Sequence, residues 1–231
     1  MLRKWENLPE NMRTEEVRPY WEILRHRKGQ LVLKRVFDLT VAIILLLLLA
    51  IPMIIIAIWI KIDSKGTVFY RQERVTTYGK RFRIHKFRTM VSNADKVGSA
   101  VTVNNDSRIT GVGKRLRKMR LDELPQVLDV ITGNMSFVGT RPEAVKYVEQ
   151  YKPEYMATLL MPAGITSETS IRYKDEDTLL SAADNVDEVY INRVLPEKMR
   201  LNLESVRTFG FGRDIATMFR TVLAVCGKDY S

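Results

Sequence analysis

The sequence predicts an α+β fold: a mostly helical, membrane-associated domain with a small β-hairpin, an N-terminal re-entrant membrane helix and amphipathic interfacial helices. Three observations carry this expectation. Residues 39–60 read LTVAIILLLLLAIPMIIIAIWI, 22 positions without a charge. Residues 67–75 and 81–90 alternate roughly by two around Tyr78-Gly79-Lys80, the pattern of a hairpin. Elsewhere apolar residues recur at helical steps, as at Leu121, Leu124, Leu128 and Ile131.

Residues 1–33 form a charged leader with scattered apolar anchors (Trp5, Tyr20, Trp21, Ile23, Leu24), expected either as a short helix at the headgroups or as an unordered arm. The membrane segment, residues 34–62, follows. Its apolar stretch makes about 33 Å of helix at about 1.5 Å per residue, close to the hydrocarbon thickness. It is not read as a cleaved signal peptide, because a long charged leader precedes it and no small-residue cleavage pattern follows. The flanks carry Arg25, Arg27, Lys28, Lys34 and Arg35 on one side and Lys61, Lys65, Arg71, Arg74, Lys80 and Arg81 on the other, so the loop-charge rule sets no direction. Two basic flanks suit a helix whose ends both stay in the cytoplasm. Pro52 lacks a backbone donor, and a break is expected at Ile51-Pro52. A spanning helix with a proline kink is the other reading.

Residues 63–231 make the cytoplasmic domain. After the hairpin, residues 91–112 are rich in Ser, Asn, Asp and Gly and read as a long surface loop. Helix is expected from Lys114, then from Asp122 to Ile131 with Gly133 as its stop, then near 142–150, 178–194 and 197–209. The last stretch sets Phe211, Ile215, Met218, Phe219, Val222 and Leu223 on one side of a helix. That stripe packs on the core or lies in the interface with Arg213 and Arg220 toward headgroups.

The 231 residues hold 37 Lys and Arg against 27 Asp and Glu, a net charge of +10. The surplus calls for an anionic partner: nucleic acid, an anionic membrane face or a phosphorylated substrate. One cysteine, Cys226, and two histidines exclude an intramolecular disulfide and a Cys/His zinc cluster.

The densest chemical signal is RITGVGKRLRKMRLDELPQ at 108–126. Arg108, Lys114, Arg115, Arg117, Lys118 and Arg120 precede the adjacent acids Asp122 and Glu123. One reading is plain helix capping, with Asp122 as N-cap, Glu123 in the first turn and Pro125 tolerated there. The other reading is phosphate chemistry, in which free amides and arginines hold an anion while a carboxylate, kept ionised by those charges, attacks phosphorus or binds Mg²⁺. Arg141, among the turn residues of GNMSFVGTRPE (133–143), could clamp a phosphate or simply start a helix. Lys86 and Arg88 share a face of an ideal strand and could reach one anion; His85 lies on the opposite face as a packed or hydrogen-bonded residue.

Together KRVFD (34–38), the Pro-broken apolar segment, FYRQERV (69–75), KFRTM (86–90), DSRIT (106–110), LRKMRLDELPQ (116–126), GNMSFVGTRPE and PAGIT (162–166) resemble the bacterial sugar transferase family, the monotopic phosphoglycosyl transferases. The resemblance implies transfer of a sugar 1-phosphate from a UDP-sugar to polyprenyl (undecaprenyl) phosphate, with release of UMP, as the first membrane step of capsule, exopolysaccharide, O-antigen or glycoprotein glycan assembly. It implies a ping-pong mechanism with Asp122 as nucleophile, Glu123 binding Mg²⁺, and a re-entrant helix broken near Ile51-Pro52 with both ends cytoplasmic. Arg141 matches a phosphate-binding arginine, and Arg117, Lys86 and Arg88 match basic positions around the active site. The implied setting is the cytoplasmic face of a bacterial inner membrane, with anionic lipids and no nucleic acid as partners, the protein being a monomer or a homodimer.

Two positions depart from the family pattern: Thr140 stands where proline is usual, and Ser167 follows GIT where Gly-Trp is common. The second, with SETSIRYKDEDTLL from 167, bears on donor choice. Two other functions compete with the transferase: a non-enzymatic, membrane-tethered basic scaffold for anionic lipid or nucleic acid, and a Mg²⁺-dependent diphosphate hydrolase.

Overall fold

The computed structural model describes residues 2–92, 94, 106–172 and 185–225. Its longest element is α2 (Lys28–Asp63), 36 residues preceded by α1 (Arg18–His26). The apolar middle of α2 is bare: Leu47 is 74% exposed and Ile51 71%. Both flanks are docked. Ala42, with Val41, Leu45 and Leu46 beside it, packs on Phe82, Ile84, Val127 and Val130. Ile56 and Ile60 pack on Phe87, Val112 and Leu116. Helix α2 runs continuously through Ile51-Pro52, so the re-entrant turn expected there would be a bend within the helix and not a gap in it. One missing amide leaves the neighbouring intrahelical bonds in place, and the helix continues past it.

The leader is ordered, and its apolar anchors face the domain core. Two short 3₁₀ turns (Trp5–Asn7 and Glu10–Met12) and α1 bury Leu8, Met12, Val17, Tyr20, Trp21 and Leu24. Their partners are Met156, Leu160, Leu203, Val206 and Phe209, so the N-terminal arm completes a core whose other half comes from the far end of the chain. Pooling apolar surface from both ends is what gives these short turns an interior to pack against.

The hairpin forms as expected but shorter: β1 (Phe69–Val75) pairs antiparallel with β2 (Arg81–Phe87), Tyr70 facing Lys86. Tyr78 and Gly79 turn the chain with φ of 58° and 76°. Of the expected loop at 91–112, residues 93 and 95–105 lie outside the described residues. A bridge between Met90 and Ile109 joins its two ends. Helix α3 (Gly111–Lys118) begins three residues before Lys114, because Thr110 caps it by accepting the Gly113 amide at 3.0 Å.

The expected helix at 122–131 is a 3₁₀ segment (Leu121–Gln126) that passes into a short α4 (Val127–Ile131), ended at Gly133 with φ of 80°. Strand β3 (Met135–Val138) pairs in parallel with β4 (Ala163–Thr166), a pair the sequence did not announce. Helix α5 (Val145–Val148) is only one turn, and α6 (Glu168–Arg172) follows β4. Residues 178–184 of the expected 178–194 helix lie outside the described residues; the rest forms α7 (Val186–Val189) and a π-turn (Tyr190–Val194). Helix α8 (Leu195–Arg207) starts two residues early, with Pro196 in its first turn.

Terminal helix α9 (Phe211–Val225) divides its expected stripe. Phe211 meets Phe37 edge-on at 5.4 Å and Met218 joins the β3 core, while Phe219 is 67% exposed.

Candidate active site

A cavity of about 430 Å³ opens between the hairpin, the segment after β2 and α3. Arg74, Lys86, Arg88, Arg108 and Arg117 line it, with Asp122 as the carboxylate among its described lining residues. Arg120 sets Asp122 there. Its left-handed backbone, φ of 57°, turns the chain sharply after α3, and no side chain caps the 3₁₀ segment that follows. Asp122 is therefore not the N-cap expected from sequence; that position belongs to Arg120.

The two acids shift in opposite directions. Glu123 Oε1 accepts from Lys86 Nζ at 2.8 Å and from Arg141 Nη2 at 2.5 Å. Burial alone would raise its pKa, but the charges and hydrogen bonds of Arg141 and Lys86 outweigh this and hold it well below the usual carboxylate range. Asp122 moves the other way. Burial raises its pKa and the neighbouring Glu123 charge adds to this, while Lys86 and Arg117 pull only partly back. Burial thus works against the hold of the cations on Asp122, and Lys86 and Arg141 pair with Glu123. Lys86 itself is depressed by burial, against the pull of Glu123.

The remaining basic residues have distinct duties. Arg117 Nε donates to Thr89 Oγ1 at 2.8 Å on the cavity wall. Arg108 is gripped by Asp106, with Nη2 to Oδ2 at 2.6 Å. Arg88 departs from the expectation that it reaches an anion alongside Lys86. Strand β2 ends at Phe87, so its alternation does not extend to Arg88. The guanidinium donates to Lys65 O at 2.7 Å and to Ser64 O at 2.7 Å, satisfying carbonyls at the end of α2. A Cβ at Gly66 (φ 133°) would collide with Arg88 Nη1, so glycine is required there.

Asp122, Glu123, Lys86, Arg117 and Arg141 therefore gather at one place, and Arg88 stands at its wall. Ile51 and Pro52 lie in the exposed apolar part of α2 and line no part of the cavity. The sequence reading missed Tyr70, Gln72 and Arg74, which line it at alternate positions of β1. Period-two spacing opposite Lys86 was the available signal. Arg74 Nη1 donates to Pro142 O at 3.3 Å, next to Arg141. His85 is hydrogen-bonded as expected, with Nδ1 2.8 Å from Asp129 Oδ1.

A second cavity, of about 480 Å³, lies between the β3 and β4 ends, α8 and α9. Its walls carry Glu168, Glu204 and Asp214 beside Arg213 and Arg220, and both departures from the family pattern, Thr140 and Ser167, line it.

The family model described as bacterial sugar transferase matches residues 29–228. Over 196 residues the chain is 32% identical to the UDP-N-acetylgalactosamine-undecaprenyl-phosphate N-acetylgalactosaminephosphotransferase of Aeromonas hydrophila, covering 84% of this chain and 43% of that one. It is 37% identical over 196 residues to the UDP-glucose:undecaprenyl-phosphate glucose-1-phosphate transferase of Escherichia coli K12, covering 83% and 39%. A Caulobacter vibrioides protein of the same name is 32% identical over 199 residues, covering 85% and 70%. The chain thus matches less than half the length of the first two relatives.

Proposed function

The chain belongs to the bacterial sugar transferase family, and from that premise we propose that it transfers a sugar 1-phosphate from a UDP-sugar to undecaprenyl phosphate at the membrane surface. One observation carries the reading: Asp122 is the carboxylate turned into a cation-lined cavity, while its neighbour Glu123 is engaged by Lys86 and Arg141. The relatives' names supply the donor and acceptor classes.

In the first half-reaction an Asp122 carboxylate oxygen bonds to the phosphorus bearing the sugar, and the bond from that phosphorus to the bridging oxygen breaks, releasing UMP. In the second, an oxygen of the lipid phosphate attacks the same phosphorus and Asp122 leaves as carboxylate. Arg117 and the other wall cations bind and orient the diphosphate and offset its charge. Burial that raises the Asp122 pKa leaves a basic, poorly solvated carboxylate once ionised, which favours attack.

The donor set suits Mg²⁺, which accepts one or two carboxylates together with substrate phosphate oxygens and water. Glu123 Oε1 takes both short contacts, whereas Oε2 meets Arg141 Nη1 only at 3.5 Å and is the oxygen fitted to a cation. When bound there, the ion would neutralise charge developing on the departing phosphate.

Re-entry of α2 belongs to the same proposal. Both flanks of its apolar stretch pack against one domain, an arrangement suited to both ends lying on one side of the membrane. Cysteines placed at Lys28 and Lys65 should be labelled from the same side; labelling from opposite sides refutes re-entry.

The reaction is tested by incubating the purified protein with a panel of UDP-sugars, with and without undecaprenyl phosphate, and reading UMP. Sustained release that needs the lipid is expected. Sustained release without lipid indicates a hydrolase, and none with any donor indicates a scaffold.

A further inference from the structure

Two of the cations counted on the membrane flank, Lys34 and Arg35, face the domain rather than the membrane. Arg35 Nη1 donates to Val130 O at 2.6 Å and Nη2 to Ile131 O at 3.0 Å, the terminal carbonyls of α4. Val130 O also accepts from the Gly133 amide at 3.0 Å, so the guanidinium adds a second donor at the helix end, where a cation suits the helix dipole. One turn later, Asp38 is 3% exposed. Its Oδ2 accepts from Ser136 Oγ at 2.7 Å and its Oδ1 from the Phe137 amide at 3.5 Å, both in β3. Lys34 closes the group, with Nζ 2.6 Å from Asp214 Oδ2 in α9 and 3.9 Å from Asp38 Oδ2.

A single helical turn of α2 thus grips the end of α4 and the middle of β3. Helix α4 continues directly from the 3₁₀ segment bearing Asp122 and Glu123, and β3 leads within three residues of its end to Arg141. The Glu123–Arg141 contact joins those same two arms at their other ends.

We propose that Arg35 and Asp38 are positioning residues for the transfer reaction: from the foot of the membrane helix they fix the spacing between the Asp122-Glu123 segment and the Arg141 strand. This rests on the transferase reading given above. Neither residue lines the cavity, so each acts through backbone it holds. A displacement of about 1 Å at a reacting group costs up to about a hundredfold in rate.

The test compares Arg35→Gln, Arg35→Lys and Ser136→Ala with Val36→Ala, whose side chain is exposed on the same turn, in the full-length protein in bilayer nanodiscs. Arg35→Gln is expected to lower kcat for lipid-dependent UMP release about ten- to a hundredfold with donor KM changed far less. Arg35→Lys should restore part of that loss, and Val36→Ala should match wild type. Hydrogen exchange, which needs no turnover, should quicken across 121–141 in Arg35→Gln and, more weakly, in Ser136→Ala. An inactive wild type refutes the transferase reading. An active wild type with kcat and exchange unchanged in Arg35→Gln refutes the positioning role.

Discussion

The two cavities are nearly equal in size, about 430 Å³ and about 480 Å³, yet they differ in charge. Among the described residues, the hairpin cavity sets five cations around one carboxylate; the α8–α9 cavity sets Arg213 and Arg220 among Glu168, Glu204 and Asp214. Arg220 is moreover already paired with Glu168 at 2.7 Å. Lys86 and Arg108 are likewise paired, with Glu123 and Asp106. A diphosphate entering the second cavity would nonetheless meet three carboxylates to two cations among the described lining residues, whereas cations predominate in the first. Volume alone does not separate the two cavities. Charge balance chooses the hairpin cavity.

That contrast can be attacked directly. Asp122→Asn removes the nucleophile and should lower lipid-dependent UMP release by roughly 10³-fold or more; activity near wild type would place the chemistry elsewhere. Glu123→Gln strips Lys86 and Arg141 of their shared anion. Turnover should drop by about 10²-fold, and thermal unfolding should show a loss of about 3 kcal/mol, the scale of a buried charge left unpaired. The pH profile of kcat should be bell-shaped. Because burial raises the Asp122 pKa, its acid limb should lie above the ordinary aspartate value of 3.8, and because burial lowers the Lys86 pKa, the alkaline limb should lie below the ordinary lysine value of 10.5. In the second cavity, Glu168→Gln should leave kcat for UMP release within about twofold of wild type, the range of ordinary substitutions away from a reacting centre. A large loss there would end the distinction between the two sites.

Much of the membrane helix, the hairpin and the Asp122-Glu123 pair was legible because each signal is local: an uncharged run, an alternation about a turn, two acids after six bases. The parallel β3–β4 pair was not. MSFV and AGIT are four residues each, buried in β3 throughout, and show no alternation to read. The packing of the N-terminal arm was not legible because its apolar anchors find partners about 150 residues away, beyond any window of sequence. The hold of Arg88 on the end of α2 was not legible because a strand face was extended past the point where the strand stops, and the upward push on the Asp122 pKa was not because neighbours in sequence are visible while burial is not. Lys34 and Arg35 read as membrane-flank charges until their partners in α4 and α9 were seen.

The central claim, that Asp122 bonds to phosphorus, is tested most directly by intact-mass measurement after mixing the protein with a turnover-competent UDP-sugar and no lipid acceptor. The account predicts an adduct of one sugar phosphate that maps to Asp122, is lost on adding undecaprenyl phosphate and never forms in Asp122→Asn. Full lipid-dependent turnover in a protein that never gains this mass would contradict it.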